Sequence, residues 1–369
     1  MNLHIVTLNV PFPPDYGGMI DTYYRIQALH DLGVRIHLHC FEYGRQHSKE
    51  LESLCETTSY YPRKSGLSRQ FSTIPYIVSS RKSKALLDNL IRNDYPILFD
   101  GLHSTYYINH PAFLTRKKIV RLHNIEHKYY HTLADSESNP FKKAFFLLES
   151  AKLKTYEKVL VKADYILPIS ANDQEYFNSE YHNSVFLAPS HPFSESKSLA
   201  GMGKYVIYHG DLSVNENSAI ANSLISNVFS KIPFNCVIAG KDPSETITLR
   251  ASQSKNIKVI SDPDIDQMEN LIVNAQINLL PALTTNGFKL KLLMALYAGR
   301  HLLVNSVIAE YSSIKNLCHI ADSFEEMINK VHRLMAEPFT EEIILERHRV
   351  LSENFDVRNN AKKLIELIF

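Results

Sequence analysis

The chain of 369 residues contains no tryptophan, and its net charge is only +1. The missing tryptophan is offset by 20 tyrosines and 18 phenylalanines, and abundant tyrosine favours polar ligands that stack on aromatic rings. The small net charge excludes the broad basic surface with which nucleic-acid-binding proteins attract their ligand. What remains is the ordinary composition of a globular protein, with 44% hydrophobic and 21% charged residues.

Cysteine is scarce as well, because only four residues occur and they form no C-x-x-C pair of the kind that binds zinc. Cys40 and Cys236 fall inside predicted buried strands, where a free cysteine behaves as a small apolar residue. No run of about 18 apolar residues occurs, the length that a membrane-spanning helix needs. The segment Met1–Val10 lacks a signal peptide's basic region and cleavage site and is predicted to form a core strand. We therefore expect a soluble protein of the reducing cytoplasm.

Short apolar strands alternate with helical segments, the pattern of parallel sheets covered by helices on both faces. The pattern starts afresh after Ser190–Lys204, whose serines, proline and glycines predict a linker. We predict an α/β protein with one unit over 1–190, a second over 205–355, and a final helix near Arg358–Ile368 that can pack on either. The predicted strands are Leu3–Val10, Val34–Phe41, Ile97–Asp100, Lys118–Leu122, Tyr165–Ile169 and Val185–Ala188, then Tyr205–His209, Phe234–Ala239, Asn256–Ile260, Gln276–Leu280 and His301–Val304.

The most informative segment runs from Thr285 to Gly299 and reads TNGFKLKLLMALYAG, directly after a predicted strand. It predicts a polar turn and then a helix with Lys289 and Lys291 in its first turn. Lysines are disfavoured there, because the start of a helix already carries partial positive charge. A phosphate would remove the conflict, since the unpaired N–H groups at a helix start bind anions. We predict a phosphate site here, with a solvated surface turn as the alternative.

A second candidate segment is the pair Gly17 and Gly18, between the first predicted strand and a helix over Ile20–Leu32 that ends at Gly33. Glycines lack side chains, so the backbone can come close to a ligand. The spacing does not match the G-x-G-x-x-G fingerprint of dinucleotide-binding proteins. A strand-to-helix turn that needs positive φ is the alternative. Asp21 follows in the first turn, where its charge can complement the helix dipole.

The segment Arg121–His127 places several ionisable residues just beyond another predicted strand. His123 comes first after the strand and is the best candidate for contact with a substrate hydroxyl. A histidine that is hydrogen-bonded to the backbone is the alternative. His123 and His127 together suggest a metal, but no third ligand is spaced to complete a site, so no metal is predicted.

In the second unit, Gly210 follows the first strand and again allows close approach of a ligand. Lys241 ends the next strand and is expected at the same edge of the sheet. Asp264 and Gln267 match a capping box, which we favour over the alternative of aspartates that hold a metal-bound sugar nucleotide.

A long amphipathic pattern over Phe141–Asp164 carries six lysines. A basic amphipathic helix of this kind can lie on an anionic membrane surface. The commoner explanation is a domain helix with a solvated lysine face. Peripheral contact with the inner face of the membrane therefore stays open as an alternative.

Together these segments resemble the GT-B glycosyltransferases, specifically glycosyltransferase family 4 and its relatives, the group 1 glycosyl transferases. The resemblance covers nearly the whole chain and lies in Pro13–Gly18, His123–Glu126, Gly210 with Asn217 and, most strongly, Pro281–Gly299. It implies a GT-B fold, with two facing Rossmann-like domains, a deep interdomain cleft, and a final helix at about 356–369 that crosses back onto the first domain.

The resemblance further implies a retaining transferase of the hexosyltransferase type. It would move a sugar from a nucleotide-diphosphate sugar to a glycan or lipid-linked acceptor, in a context such as polysaccharide biosynthesis. No metal or other cofactor is expected, since a helix start and basic side chains carry the diphosphate charge. By likeness, the catalytic residues are His123, Lys289 and Asn286, the donor-binding residues are Gly17, Gly18, Gly210, Asp211, Lys241, Gly287, Phe288 and Lys291, and the acceptor-side residues are Asp21, Asn124 and Glu126.

The sequence departs from the family pattern at the residues that bind the donor. The two family glutamates of the turn and helix fall on Asn286 and Met294, and methionine cannot accept hydrogen bonds from ribose hydroxyls. The family's basic pair after the first strand of the second domain is replaced by Asp211 and Asn215. Two other functions therefore stay open, namely a catalytically silent sugar-nucleotide-binding or scaffold protein and a GT-B-fold UDP-sugar epimerase.

Overall fold

The computed structural model describes residues 1–66, 72–284, 288–309 and 314–369. In this part of the chain the backbone forms two compact units, and each is built on one six-stranded sheet. The first unit comprises residues 1–192 and 355–369 together with Phe288, and the second comprises 193–284 and 289–354. The predicted α/β class is confirmed in both units.

The first unit contains six parallel strands with helices between them. The strands are β1 (Asn2–Thr7), β2 (Arg35–Glu42), β3 (Thr57–Pro62), β4 (Ile97–Asp100), β5 (Lys118–Leu122) and β6 (Tyr165–Pro168). The helices are α1 (Gly17–Asp31), α2 (Lys49–Ser53), α3 (Tyr76–Ser79), α4 (Lys84–Leu90), α5 (Glu126–Ser136), α6 (Pro140–Tyr156) and α7 (Ala171–Tyr181). The sheet order is β3-β2-β1-β4-β5-β6, as in dinucleotide-binding folds, and it reverses between β1 and β4.

Both faces of this sheet are covered, as a parallel sheet requires. Leu98 and Phe99 are neighbours on β4 but belong to different apolar clusters, because successive side chains of a strand point to opposite faces. Leu98 shares its cluster with Ile26 and Leu29 of α1. Phe99 shares the other cluster with Leu153 of α6. The continuous apolar runs of the central strands follow from this double burial.

The second unit repeats the arrangement. Its strands are β7 (Val206–His209), β8 (Cys236–Gly240), β9 (Ile257–Ser261), β10 (Ile277–Leu279), β11 (His301–Val304) and β12 (His319–Ile320). Its helices are α8 (Asn215–Asn227), α9 (Glu245–Ser252), α10 (Ile265–Asn274), α11 (Leu290–Ala298), α12 (Ser306–Ala309), α13 (Phe324–Leu334) and α14 (Glu341–Phe355). The parallel sheet has the order β12-β11-β10-β7-β8-β9, so the strand order reverses between β7 and β10.

The last helix, α15 (Val357–Ile368), belongs to the first unit. Ala361, Leu364 and Ile368 lie on one face of the helix and join the apolar cluster that contains residues of α1. Asp356 caps the helix by accepting from the Asn359 backbone N–H at 2.6 Å. Burial of this apolar stripe decides which unit the helix packs on, a choice that its sequence left open.

Three differences from the predicted strands have local causes. The prediction of a strand over Val185–Ala188 is wrong. The Val185 and Leu187 N–H groups bond β6, but the Leu187 and Ala188 carbonyls accept from the Arg121 guanidinium at 2.5 and 3.2 Å. β3 was not predicted, since only one of its six residues is buried and it is rich in threonine, serine and tyrosine. β12 was not predicted because it has only two residues.

Several local predictions are confirmed. Asp264 and Gln267 form both hydrogen bonds of a capping box at the start of α10. Cys40 and Cys236 are buried in strands. Gly33 follows α1 with a φ of +80°, the left-handed conformation that commonly ends a helix at glycine.

The lysine-rich amphipathic segment forms α6 and then a 3-10 helix over Glu157–Lys162. Leu153 and Leu160 are buried, whereas Phe141 and Leu148 are exposed. None of the helices within the described ranges has both the length and the apolar character needed to cross a membrane.

Candidate active site

The strand orders define two sheet edges at which ligands are expected. In an open α/β sheet, ligands bind beyond the carboxyl ends of the strands, where the strand order reverses. The first edge lies beyond β1 and β4, and the second lies beyond β7 and β10. Both edges carry buried ionisable side chains.

At the first edge, Asp21 is the centre of a buried ion-pair network. Its Oδ1 accepts from Arg121 Nη2 at 2.9 Å and from the Ser190 backbone N–H at 2.7 Å. Its Oδ2 accepts from Arg121 Nε at 3.0 Å and from Arg25 Nη1 at 2.5 Å. Arg25 Nη2 also donates to Asp100 Oδ1 at 2.6 Å, at the end of β4. The four charges therefore compensate one another inside the protein.

His123, immediately beyond β5, is held by this network. Its Nε2 lies 3.0 Å from Asp21 Oδ2 and 3.8 Å from Asp100 Oδ1. His123 is thus hydrogen-bonded to a buried carboxylate and not to a backbone group, which was the alternative predicted from the sequence. With Nε2 as the donor, Nδ1 is the ring nitrogen that remains to bond a ligand, and the side chain keeps 11% exposure.

Asp21 does not reach the surface, so a role on the acceptor side, as predicted, has to act through its neighbours. It is 1% exposed, and protein donors surround its carboxylate. Burial alone would raise the pKa of Asp21, but the adjacent Arg121 and Arg25 outweigh it and hold this pKa well below the usual value. The residue also lies beyond the first turn of α1, so it does not serve the helix dipole as expected. Its carboxylate holds the His123 ring through the 3.0 Å contact with Nε2.

Asp21, Asp100 and His123 also have the spacing of a metal site. Each offers a ligand atom, and these atoms lie within 4.8 Å of one another. The two carboxylates are already paired with the guanidinium groups of Arg25 and Arg121. A divalent ion would add charge to a network that is already neutralised. The donor set therefore fits an ion-pair network better than a metal centre.

The other predicted acceptor-side residues follow His123 in the chain. Asn124 is half-buried, whereas Glu126 is the first residue of α5 and only 4% exposed. Burial raises the pKa of Glu126 to about 8, and its Oε1 lies 3.9 Å from His103 Nδ1. His127 does not join His123, because its Nδ1 lies 3.1 Å from Glu157 Oε2. Glu126 is thus a buried carboxyl behind this edge, and its place on the acceptor side stays a prediction.

Gly17 and Gly18 form the start of α1. Neither has a positive φ, so the alternative of a turn that requires positive φ is wrong. Gly17 is exposed, and a side-chain carbon added at Gly18 would meet only Tyr16, at 3.7 Å. The pair leaves the backbone open, as close approach of a ligand requires.

At the second edge, α11 begins directly after Lys289, its N-cap residue. Lys289 Nζ forms an ion pair with Glu216 Oε2 at 3.1 Å, and Lys291 Nζ donates to Asn217 Oδ1 at 3.0 Å. Glu216 and Asn217 lie in the first turn of α8, which follows β7. The two lysines therefore meet the start of α8 at the point where the strand order reverses.

Three predicted residues precede α11. Asn286 and Gly287, predicted for catalysis and donor binding, lie outside the described residues. Phe288 is 8% exposed, and its ring centroid lies 5.7 Å from that of Phe355. The Phe288 side chain therefore takes part in aromatic packing, and its contact with the donor stays a prediction.

Lys291 is a half-buried cation whose charge is only partly compensated. Its ammonium lies 5.0 Å from the centroid of the Tyr208 ring, besides its bond to Asn217. Burial, and then the charge of Lys289, lower the pKa of Lys291 to about 8. An anion bound beside both lysines would offset these effects and raise the pKa again. The lysine pair therefore favours an anionic ligand.

Gly210 lies beside Lys291, and a second glycine, Gly240, packs against the Gly210 loop. A side-chain carbon added at Gly210 would come within 3.6 Å of Lys291 Nζ and 3.5 Å of the Asn217 amide. Glycine thus leaves space beside the ammonium group. Gly240, at the end of β8, is in direct contact with this loop. A side-chain carbon added at Gly240 would lie 1.8 Å from the Gly210 carbonyl oxygen. No larger residue fits there without moving the loop.

Asp211 and Lys241 lie on the loops beyond β7 and β8. Asp211 Oδ1 accepts from the Ser213 backbone N–H at 3.1 Å and from its hydroxyl at 2.5 Å. The Lys241 carbonyl accepts from the Leu212 N–H at 2.9 Å, and its side chain is exposed. The Asp211 carboxylate therefore shapes its own loop, and the Lys241 backbone ties the two loops together.

Glu216 also lies at the second edge, and it was not predicted as a site residue. Its Oε1 accepts from the Leu283 N–H at 3.1 Å, and from the Thr284 N–H and hydroxyl at 3.2 Å each. An acidic residue in the first turn of a helix usually serves only the helix dipole. The sequence therefore carried no signal for a contact with a loop 67 residues away.

No family model matches the chain. A curated relative, an uncharacterized 44.6 kDa protein in the cps region of Klebsiella pneumoniae, is 21% identical, and the alignment covers 99% of this chain and 98% of the relative.

Solved structures with the same fold cover the whole chain. A point mutant of S. aureus TarM, in complex with fondaparinux, α-GlcNAc-glycerol and UDP, has a TM-score of 0.67 at 10% identity and covers 100% of this chain and 99% of its own. The lipopolysaccharide outer core galactosyltransferase WaaB has a TM-score of 0.66 at 12% identity, with 99% of each chain covered. Arabidopsis thaliana UGT89C1 with UDP has a TM-score of 0.60 at 14% identity, with 100% of each covered.

At such low identities the likeness defines the fold and not the reaction. Two parallel six-stranded sheets and these neighbours show that the chain has the two-domain GT-B fold of glycosyltransferases. The resemblance seen in the sequence is thereby confirmed at the level of fold. The function therefore depends on the residues at the two sheet edges of this chain.

Proposed function

We propose that this protein is a glycosyltransferase that moves a sugar from a nucleotide-diphosphate sugar to a glycan or lipid-linked acceptor. The observation that carries the proposal is the meeting of Lys289 and Lys291 with the start of α8 at the second edge. Open α/β sheets bind nucleotides at such a position. The neighbours support this choice, since a TarM structure contains UDP and α-GlcNAc-glycerol, and UGT89C1 structures contain UDP or UDP-L-rhamnose.

The chemistry of this edge suits a leaving diphosphate. As the glycosidic bond breaks, the diphosphate gains negative charge, which Lys289, Lys291 and nearby N–H groups stabilise. The sugar gains oxocarbenium character at the same time. In the retaining mode that we propose, the acceptor hydroxyl attacks on the face of the leaving group, and a phosphate oxygen takes its proton. The lysines neutralise the diphosphate charge that a metal ion would otherwise neutralise.

In the first unit, we place His123 beside the transferred sugar, which we take to be a hexose. The bond to Asp21 fixes the ring and its tautomer, so that Nδ1 can accept from a sugar hydroxyl. Gly17 and Gly18 leave the backbone open for contact with the donor, and Asn124 is half-buried beside His123. Asp21 acts from beneath the surface by orienting His123.

A second candidate function is donor binding without catalysis. Met294 lies half-buried on α11, at the position where the resembling family has its second glutamate. A thioether cannot take the place of a carboxylate that binds ribose hydroxyls. Calorimetric binding of a nucleotide sugar without transfer or hydrolysis of that donor would favour this function.

Thermal unfolding with UDP, GDP, ADP or TDP tests the nucleotide site, because a ligand of the native state raises the unfolding temperature. We expect one of these diphosphates to raise Tm while its nucleoside does not.

Since the pKa of Lys291 is about 8, the lysine loses its charge as the pH rises. The stabilisation should therefore weaken between about pH 7 and pH 9. A protein that none of the four diphosphates stabilises would contradict the proposal.

We further propose that α6 contacts the anionic inner face of the cytoplasmic membrane. Phe141, Leu147 and Leu148 are exposed apolar residues of this helix, and Lys142 and Lys143 lie beside them. Apolar side chains next to lysines favour binding at anionic headgroups. Vesicles that contain anionic lipid should sediment the wild-type protein, whereas a variant with Lys142→Glu and Lys143→Glu should stay in solution. Equal sedimentation of both proteins would rule out this contact.

A further inference from the structure

The anion-binding groups of the second edge already hold a side chain of the protein itself. The backbone N–H groups of Leu283 and Thr284 and the Thr284 hydroxyl donate to Glu216 Oε1. The Lys289 ammonium binds Glu216 Oε2. We call these donors of Leu283, Thr284 and Lys289 the cradle. Backbone amides, a hydroxyl and an ammonium are also the groups with which proteins hold a phosphate.

A ligand can reach the cradle. The Leu283 side chain is 64% exposed, and Lys289 and Glu216 keep 21% and 24% exposure. The cradle also adjoins the second ammonium group, because Asn217, which accepts from Lys291, is the residue after Glu216. A diphosphate has two phosphate groups that could engage both lysines. The carboxylate of Glu216 therefore stands where one of them would bind.

We propose that Glu216 is an internal anion that occupies the cradle in the ligand-free protein, and that a phosphate group of the nucleotide displaces it. This inference rests on the proposed function, because it assigns the cradle to the donor diphosphate. A carboxylate and a phosphate need the same donors, so the ligand has to break the Glu216 contacts before it forms its own. The released carboxylate stays in the first turn of α8, where the helix dipole still stabilises it.

The alternative role of Glu216 is to hold Lys289 in place for the ligand. The two roles predict opposite effects of removing the charge. If Glu216 competes with phosphate, a neutral side chain lets phosphate bind more tightly. If Glu216 only positions Lys289, a neutral side chain leaves the ammonium misplaced and binding weakens.

Glu216→Gln removes the charge and keeps the size of the side chain. We expect titration calorimetry to give a Kd about tenfold lower for inorganic pyrophosphate, and for whichever of UDP, GDP, ADP or TDP the wild type binds. The matching nucleoside, which lacks phosphate, should bind both proteins equally. Glu216→Ala should also tighten binding. Glu245→Gln is the matched control, since Glu245 is an exposed glutamate in the first turn of α9 and its loss should not change the Kd.

Each outcome decides between the roles. If wild type binds a diphosphate and both Glu216 variants bind it equally or more weakly while their thermal unfolding remains cooperative, the proposal is overturned. Tightening that extends equally to the nucleoside would also overturn it, because phosphate would not be the competing group. Failure of wild type and all variants to bind any diphosphate would instead reject the proposed function, and the inference with it.

Discussion

Lys289→Ala should lower the rate of sugar transfer about 100-fold or more and leave the fold almost unchanged. The ammonium is expected to stabilise charge that develops on the leaving diphosphate, so its loss affects the transition state more than the bound substrate. The ion pair with Glu216 is partly exposed, at 21% and 24%. Its loss should therefore cost less than about 1 kcal/mol of the free energy of unfolding. Single-turnover transfer assays and chemical denaturation measure the two quantities.

A matched control for this variant is Lys258→Ala. Lys258 is an exposed lysine on β9, the outermost strand of the same sheet. Its loss changes the net charge of the protein by the same amount. We expect transfer by this variant to equal that of wild type. Unchanged turnover in Lys289→Ala would reject the assignment of Lys289 to the diphosphate.

Asp21→Asn should lower the free energy of unfolding by about 3–5 kcal/mol, because it leaves buried guanidinium charge uncompensated. Asp21 accepts from Arg25 and Arg121, and all three side chains are at most 2% exposed. The pKa of Asp21 is lower in the folded protein than in the unfolded chain, since the two arginines outweigh burial. Its contribution to stability is therefore present above the usual aspartate pKa of 3.8 and is lost as the pH falls below it. Urea denaturation near neutral pH measures the loss.

Asp88→Asn is the control for the buried pair. Asp88 forms an ion pair with Lys84 at 2.9 Å, but the two side chains are 46% and 86% exposed. Its loss should cost at most about 0.5 kcal/mol. If Asp21→Asn costs no more than this control, the network does not stabilise the first unit and cannot fix His123.

Short strands that are buried along their whole length could be predicted closely from the sequence. β4, β5 and β11 begin and end at the predicted residues, and every residue of these three strands is buried. β3 escaped prediction, since only one of its six residues is buried. Val185–Ala188 has the composition of a strand, but part of its backbone bonds the Arg121 side chain instead.

The candidate site could be predicted where its signal is local. Lys289 and Lys291 stand out because cations at the start of a helix conflict with the helix dipole. The partners of Asp21 could not be foreseen, since Arg121 lies 100 residues away and Ser190 lies 169 residues away. Glu216 was missed for the same reason, because its contacts come from a distant loop.

We expect a nucleotide diphosphate to bind at the second edge. A crystal structure of the wild-type protein with the diphosphate that raises its Tm would show whether it does. We predict phosphate oxygens within hydrogen-bond distance of the Lys289 and Lys291 ammonium groups and of the Thr284 backbone N–H, with Glu216 turned away. Phosphates bound elsewhere, with Glu216 still paired to Lys289, would contradict the account.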